Sequence, residues 1–158
     1  MRRMLSLALV ALAMTTTLAA LEADNSFGTW KVNIAASKYT PAPWPVKSLT
    51  VVREAVPRGV KVTTTGERTD GTEVNTSYTA IYDGTPSVVT GKGAPYDTVS
   101  IKEVDSNTFL YEAKNTAGKY HASGRIVISN EGKTMTMTAA GMDADANAMT
   151  LTLVYDKQ

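Results

Sequence analysis

The sequence contains no cysteine. That excludes disulfides, thiol nucleophiles, Cys-ligated zinc, iron–sulfur clusters and the lipid-modified cysteine of an exported lipoprotein. There is a single histidine, His121, and a two-histidine metal centre cannot be built from one in a single subunit. Neither sign of charge is in excess: 16 Lys plus Arg stand against 15 Asp plus Glu, a formal net charge of +1. No strong field therefore draws the chain to nucleic acid or to a charged membrane surface. No apolar run reaches the roughly 20 residues of a membrane-spanning helix. The Gly-x-Ser-x-Gly elbow, the Walker loop and the dinucleotide fingerprint are all missing. No nucleophile, base and orienting group can be assembled from this inventory, so no catalytic residue, metal or cofactor is expected and the protein reads as a non-enzyme.

What is present begins with a leader. Met1-Arg2-Arg3 is followed by an uncharged apolar run over residues 4–14 and then by Thr15-Thr16-Thr17-Leu18-Ala19-Ala20, the charged, apolar and small-residue parts of a secretory signal peptide. Thr17 and Ala19 suit the positions −3 and −1 of a cleavage site, and the cut is expected between residues 19 and 23. Residues 1–23 are thus read as removed, and the location as periplasmic or extracellular. If the cut follows Ala23, loss of Arg2, Arg3 and Glu22 leaves equal numbers of basic and acidic side chains.

Residues 24–158 are long enough for one domain and too short for two. From Phe27 onward no helical period persists beyond a turn, whereas alternating runs rich in Thr, Val, Ile and Tyr recur between turn signals. The first strand is expected over residues 29–34, with Trp30, Val32 and Ile34 on one face. Others follow at 48–56, 60–68 and 72–82, the last with Val74, Thr76, Tyr78, Ala80 and Tyr82 on a common face. Asp70-Gly71 and Asp83-Gly84 are good turn dipeptides. Residues 85–95, with Pro86, Gly91, Gly93 and Pro95, support no more than a short strand between bends. Strands then resume at 98–104, 108–114, 119–129 and 134–140, with Met135 and Met137 inward. The last strand presents Met149, Leu151, Leu153 and Tyr155 on its inner face.

Connections this short make sequence neighbours antiparallel neighbours in space. A flat meander of nine or ten strands would leave two open edges and one bare apolar face. Closure into an all-β, up-and-down antiparallel barrel removes both. An immunoglobulin-like sandwich is the alternative, but it needs longer crossovers than the one long connection, residues 35–47.

The opening Phe27-Gly28-Thr29-Trp30-Lys31-Val32 resembles the Gly-x-Trp signature of the lipocalin and fatty-acid-binding-protein superfamily, in which the tryptophan plugs the closed end of the barrel. That resemblance gives Gly28 and Trp30 the role of plug. The ending Leu153-Val154-Tyr155-Asp156-Lys157 is similar to the Arg-x-Tyr-Glu-Lys ending of fatty-acid-binding proteins. There the arginine clamps the ligand carboxylate; here Leu153 stands in its place, and only Tyr155 is carried over. Those proteins also cover the barrel mouth with two helices, which Pro41, Pro43 and Pro45 oppose. The Gly-Thr-Trp-Lys opening with the turn Ser37-Lys38-Tyr39 further resembles a group of small exported bacterial proteins, a resemblance that brings no activity with it.

Several residues invite a chemical reading and lose it to a plainer one. Parity places His121 with Ser123 and Arg125 on the outer face of its strand, away from any haem or general-base position. Asp97, Glu103, Glu112 and Asp143 stand at turns or on polar faces, with nothing to bring two together as a glycosidase requires. Gly91-Lys92-Gly93 has no following helix to lend its N-terminus to a phosphate and reads as a bend. Asp143-Ala144-Asp145-Ala146-Asn147 alternates oxygen ligands as calcium loops do, but lacks the glycine and distal glutamate of the helical hand, and reads as a hairpin loop.

The aromatics say more. Tyr78, Tyr82, Tyr111, Tyr120 and Tyr155 share faces with apolar residues. Buried phenols need partners for their hydroxyls, as in the lining of a binding cavity; alternatively the rings simply fill the barrel. Trp44, between Pro43 and Pro45, suits a lid over the cavity or a structural cover of the barrel end. The expectation is an exported barrel that binds a small apolar molecule among Tyr78, Tyr111, Met137, Leu151 and Tyr155, with no nucleic acid partner and no insertion into a membrane. The alternative is a structural or interaction module of the cell envelope with a filled barrel, and internal volume discriminates the two.

Overall fold

Period-two alternation of apolar and polar residues sends every second side chain inward, and the computed structural model, which describes residues 24–158, follows it almost throughout. The leader and its cleavage site lie outside the described residues. Twelve strands form one antiparallel sheet: β1 (Gly28–Val32), β2 (Lys38–Thr40), β3 (Val46–Val56), β4 (Gly59–Arg68), β5 (Glu73–Ile81), β6 (Ser87–Val88), β7 (Thr90–Lys92), β8 (Thr98–Asp105), β9 (Thr108–Lys114), β10 (His121–Ile128), β11 (Thr134–Met142) and β12 (Ala148–Lys157). Nine of them are the long staves of a nearly closed up-and-down antiparallel barrel; β2, β6 and β7 are short pieces that complete it. Among the described residues no helix is long and apolar enough to cross a membrane.

The first and last strands among the described residues meet. Trp30 of β1 stands opposite Lys157 of β12 on one side and opposite Val51 of β3 on the other. β1 stops two residues earlier than alternation suggests: Ile34 is not on the inner face but opens a 3₁₀ turn over Ile34–Ala36 and is 39% exposed. The reason is local hydrogen bonding. Asn33 Oδ1 accepts from Ala36 N at 3.1 Å and its Nδ2 donates to Asp156 at 2.9 Å, the competition between side chain and ladder that Asn offers. The chain then rejoins the same neighbour, with Tyr39 of β2 opposite Leu151 of β12. Ser37 bridges the gap: its hydroxyl donates to Asn33 O at 2.7 Å and accepts from Val154 N at 2.9 Å. The expected long loop over residues 35–47 thus contains one short strand, β2, and otherwise runs without ladder pairing until β3 begins at Val46.

The other irregularity is the side where β5 and β8 face each other without a ladder. Residues 87–92 cross that gap: β6 pairs with β8, and β7 then pairs with β5. Gly91 makes the crossing feasible, with φ +103° and its Cα so close to the next strand that a Cβ would lie 2.0 Å from Asn75 O. Nearer the opposite end, Gly84 N donates to Ile101 O at 3.0 Å and Glu103 N to Tyr82 O at 3.1 Å. The short strand expected within residues 85–95 is therefore two short strands, and of its apolar pair Val88 is 72% exposed while Val89 packs on the core.

One end of the barrel is sealed. Residues 24–27 turn beneath it, with Ser26 wholly buried, and Trp30, also wholly buried, donates from Nε1 to Ser26 O at 3.3 Å. Lys157 Nζ lies 5.1 Å from the centre of the Trp30 ring and donates to Asn25 O at 3.1 Å. Gly28, at φ +121°, leaves room for that lysine, whose Cε would lie 3.0 Å from a Cβ at this position. Gly28 and Trp30 both stand at this sealed end.

Candidate functional site

The inner faces of the staves enclose a cavity of about 350 Å³. Its walls are mostly aliphatic: Val51 of β3, Val62 of β4, Val74 of β5, Ile126 of β10 and Met135 of β11. Tyr78 of β5, Tyr111 of β9, Met137 of β11, and Leu151 and Tyr155 of β12 border the same space. The five residues singled out by parity as a ligand surface are therefore brought together around one cavity. Tyr78, Met137 and Leu151 retain partial exposure.

Burial governs the phenols. It pushes Tyr78, Tyr111 and Tyr155 above the ordinary phenol range, the first countered in part by the nearby Arg53 and all of them raised a little further by neighbouring phenols. No hydrogen bond from a described residue reaches the hydroxyl of Tyr78 or of Tyr155. A phenol hydroxyl that borders a cavity without a protein partner can bond to water or to a ligand there, so these two groups offer polar contacts inside otherwise apolar walls.

The mouth is built by loops. Tyr39 of β2 and Trp44 meet edge to face with ring centres 6.4 Å apart, and Tyr96 and Tyr120 lie tilted at 5.8 Å. Trp44 borders the cavity at this rim; its indole Nε1 is enclosed and has no hydrogen-bond partner. Arg68 and the loop carrying Asp143 and Asp145 complete the rim. The Asp143 carboxylate is occupied by its own hairpin, accepting from Asp145 N at 2.9 Å and from Asn147 N at 2.8 Å. These bonds hold it below the usual carboxylate range.

The floor carries a charge. Alternation on β3 turns Leu49, Val51 and Arg53 inward, and Arg53 is 3% exposed. Its Nε donates to Ser26 O at 2.9 Å, its Nη2 to the Tyr82 hydroxyl at 3.3 Å, and its guanidinium stands 5.5 Å from the Phe109 ring centre. Tyr82 thus belongs to the floor, against Phe109 with ring centres 4.9 Å apart.

Sequence reasoning missed Arg53, Tyr39 and Tyr96. For Arg53 the signal was available, because it shares parity with Leu49 and Val51, although the expected strand over residues 48–56 was given no inward face. Tyr39 and Tyr96 sit in or beside loops, where alternation gives no orientation. Among the residues set aside, Gly93, Asp143, Ala144 and Asp145 border the cavity, whereas His121, Asp97, Glu103 and Glu112 lie outside it. His121 is exposed, Asp97 accepts from Thr116 Oγ1 at 2.6 Å, and Glu112 pairs with Lys114 at 2.6 Å on the surface. No group of three or more His, Asp or Glu residues arranged for a metal occurs among the described residues.

No protein-family model and no curated protein matches the chain. Among solved structures it is similar to EF1p2_mFAP2b bound to DFHBI, with a TM-score of 0.48 and 15% identity, over 85% of this chain and 95% of that one.

Proposed function

We propose that the protein is an exported, non-catalytic binding protein that holds a small, largely apolar molecule inside its barrel. The observation that carries this reading is the cavity of about 350 Å³. Its walls are apolar with a few inward phenols, the composition of small-molecule sites, and its volume lies near the lower end of their range. A filled barrel serving only as an interaction module would not need such a space. Native mass spectrometry of the protein purified from its own host tests the reading: a mass adduct lost on mild activation is expected. Mass analysis of the same preparation tests export, which rests on the leader alone. An N-terminus between Ala20 and Asp24 is expected, and recovery of only an intact Met1 protein would sink it.

A further inference from the structure

The inference rests on the binding function proposed above and sharpens its ligand class. Arg53 is the feature that this function has not used. A guanidinium is always charged and carries five N–H donors. Here two of them meet protein acceptors, the Ser26 carbonyl and the Tyr82 hydroxyl, and both acceptors are neutral. None of the ion pairs among the described residues includes Arg53. The acidic group that acts on this corner is Asp24, which bears on the Tyr82 hydroxyl but is itself exposed, its Oδ1 accepting from Ser26 N at 2.8 Å. A cation removed from water without a counter-charge is costly, and this one borders the cavity floor. Tyr78, whose hydroxyl feels the Arg53 charge and has no protein partner, borders the same space.

We propose that the ligand is a small amphiphile with a single anionic head group, a carboxylate or sulfonate, seated head-down against Arg53 and the Tyr78 hydroxyl with its apolar body among the valines and methionines above. The orientation follows from the two ends of the cavity. At the mouth Arg68 shares the rim with Asp143 and Asp145, a mixed charge that favours no anion, whereas at the floor the charged side chain that borders the cavity is Arg53. The volume suits a ligand of one or two rings or a short chain.

Two fluorescent probes of similar shape test this on the full protein: anilinonaphthalene sulfonate, which is anionic, and N-phenylnaphthylamine, which is neutral. The anionic probe is expected to bind about tenfold tighter or more, as a charge-assisted hydrogen bond provides. Arg53→Gln should bring the two affinities together, and Arg53→Lys should keep part of the preference. Equal affinities in the unaltered protein, or a preference that survives Arg53→Gln, overturn the anionic assignment and leave cavity binding standing. Failure of both probes to bind overturns both. Should Arg53→Gln not fold, a crystal structure of the unaltered protein with anilinonaphthalene sulfonate decides. The sulfonate is expected in hydrogen-bond contact with Arg53, and its placement at the mouth beside Arg68 overturns the proposal.

Discussion

The two tryptophans separate structure from rim. Trp30 is wholly buried, hydrogen-bonded to Ser26 O and covered by Lys157, so Trp30→Ala removes a large aromatic from a place that cannot collapse around it. A loss of about 3 to 5 kcal/mol is expected. Trp44 is only half-buried and gives up no hydrogen bond when truncated. Trp44→Ala should leave the urea midpoint near that of the unaltered protein, and the reverse order in urea melts would misassign the sealed end. Tyr155→Phe removes a hydroxyl that has no protein partner, so stability should hold. A ligand whose polar atom it meets should bind more weakly by about 0.5 to 1.5 kcal/mol, readable by fluorescence titration.

At the scale of elements, one hydroxyl bridges the interruption in the first strand. Ser37→Ala leaves Val154 N without its acceptor and Asn33 O without its donor. A cost of about 1 kcal/mol is expected, with faster hydrogen exchange at the Val154 amide; an unchanged exchange rate would mean that water replaces the hydroxyl fully. This segment also shows where sequence reasoning stopped. The long staves were legible because one face is buried, and a slip of one residue would turn every apolar side chain outward. That constraint fixed the inward set on β5, β10, β11 and β12, and with it four of the five cavity residues, Tyr111 of β9 being the fifth. It does not act where a side chain competes for the ladder, as Asn33 does, or where a segment changes partner, as residues 87–92 do. Ile34 was read as inward for the first reason, and Val88 and Val89 were left unphased for the second. The mouth residues Tyr39 and Tyr96 escaped because a three-residue strand is too short to show a period and a loop has none. Arg53 was passed over because a charged residue in a strand is ordinarily assigned to the outer face.

For the molecule as a whole, the interior phenols tie stability to alkaline pH. Tyr78, Tyr111, Tyr120 and Tyr155 are all pushed upward by burial, so the folded state favours the neutral phenol more than the unfolded state does. The contribution is fully present below the ordinary phenol value of about 10 and is lost as pH climbs from there toward the raised folded values. Phenolate absorbance should therefore rise together with the loss of tryptophan fluorescence in an alkaline titration. A gradual rise near the ordinary value with the fold intact would mean that the rings are open to water. The pairing of β1 with β12 has a consequence of another kind. Trp30 finds Lys157 only across almost the full length of the chain, so ring closure carries the highest contact order in the molecule and is entropically deferred. A growing polypeptide cannot complete this barrel until its final strand has left the ribosome. Translation itself thereby holds the barrel open until β12 has emerged.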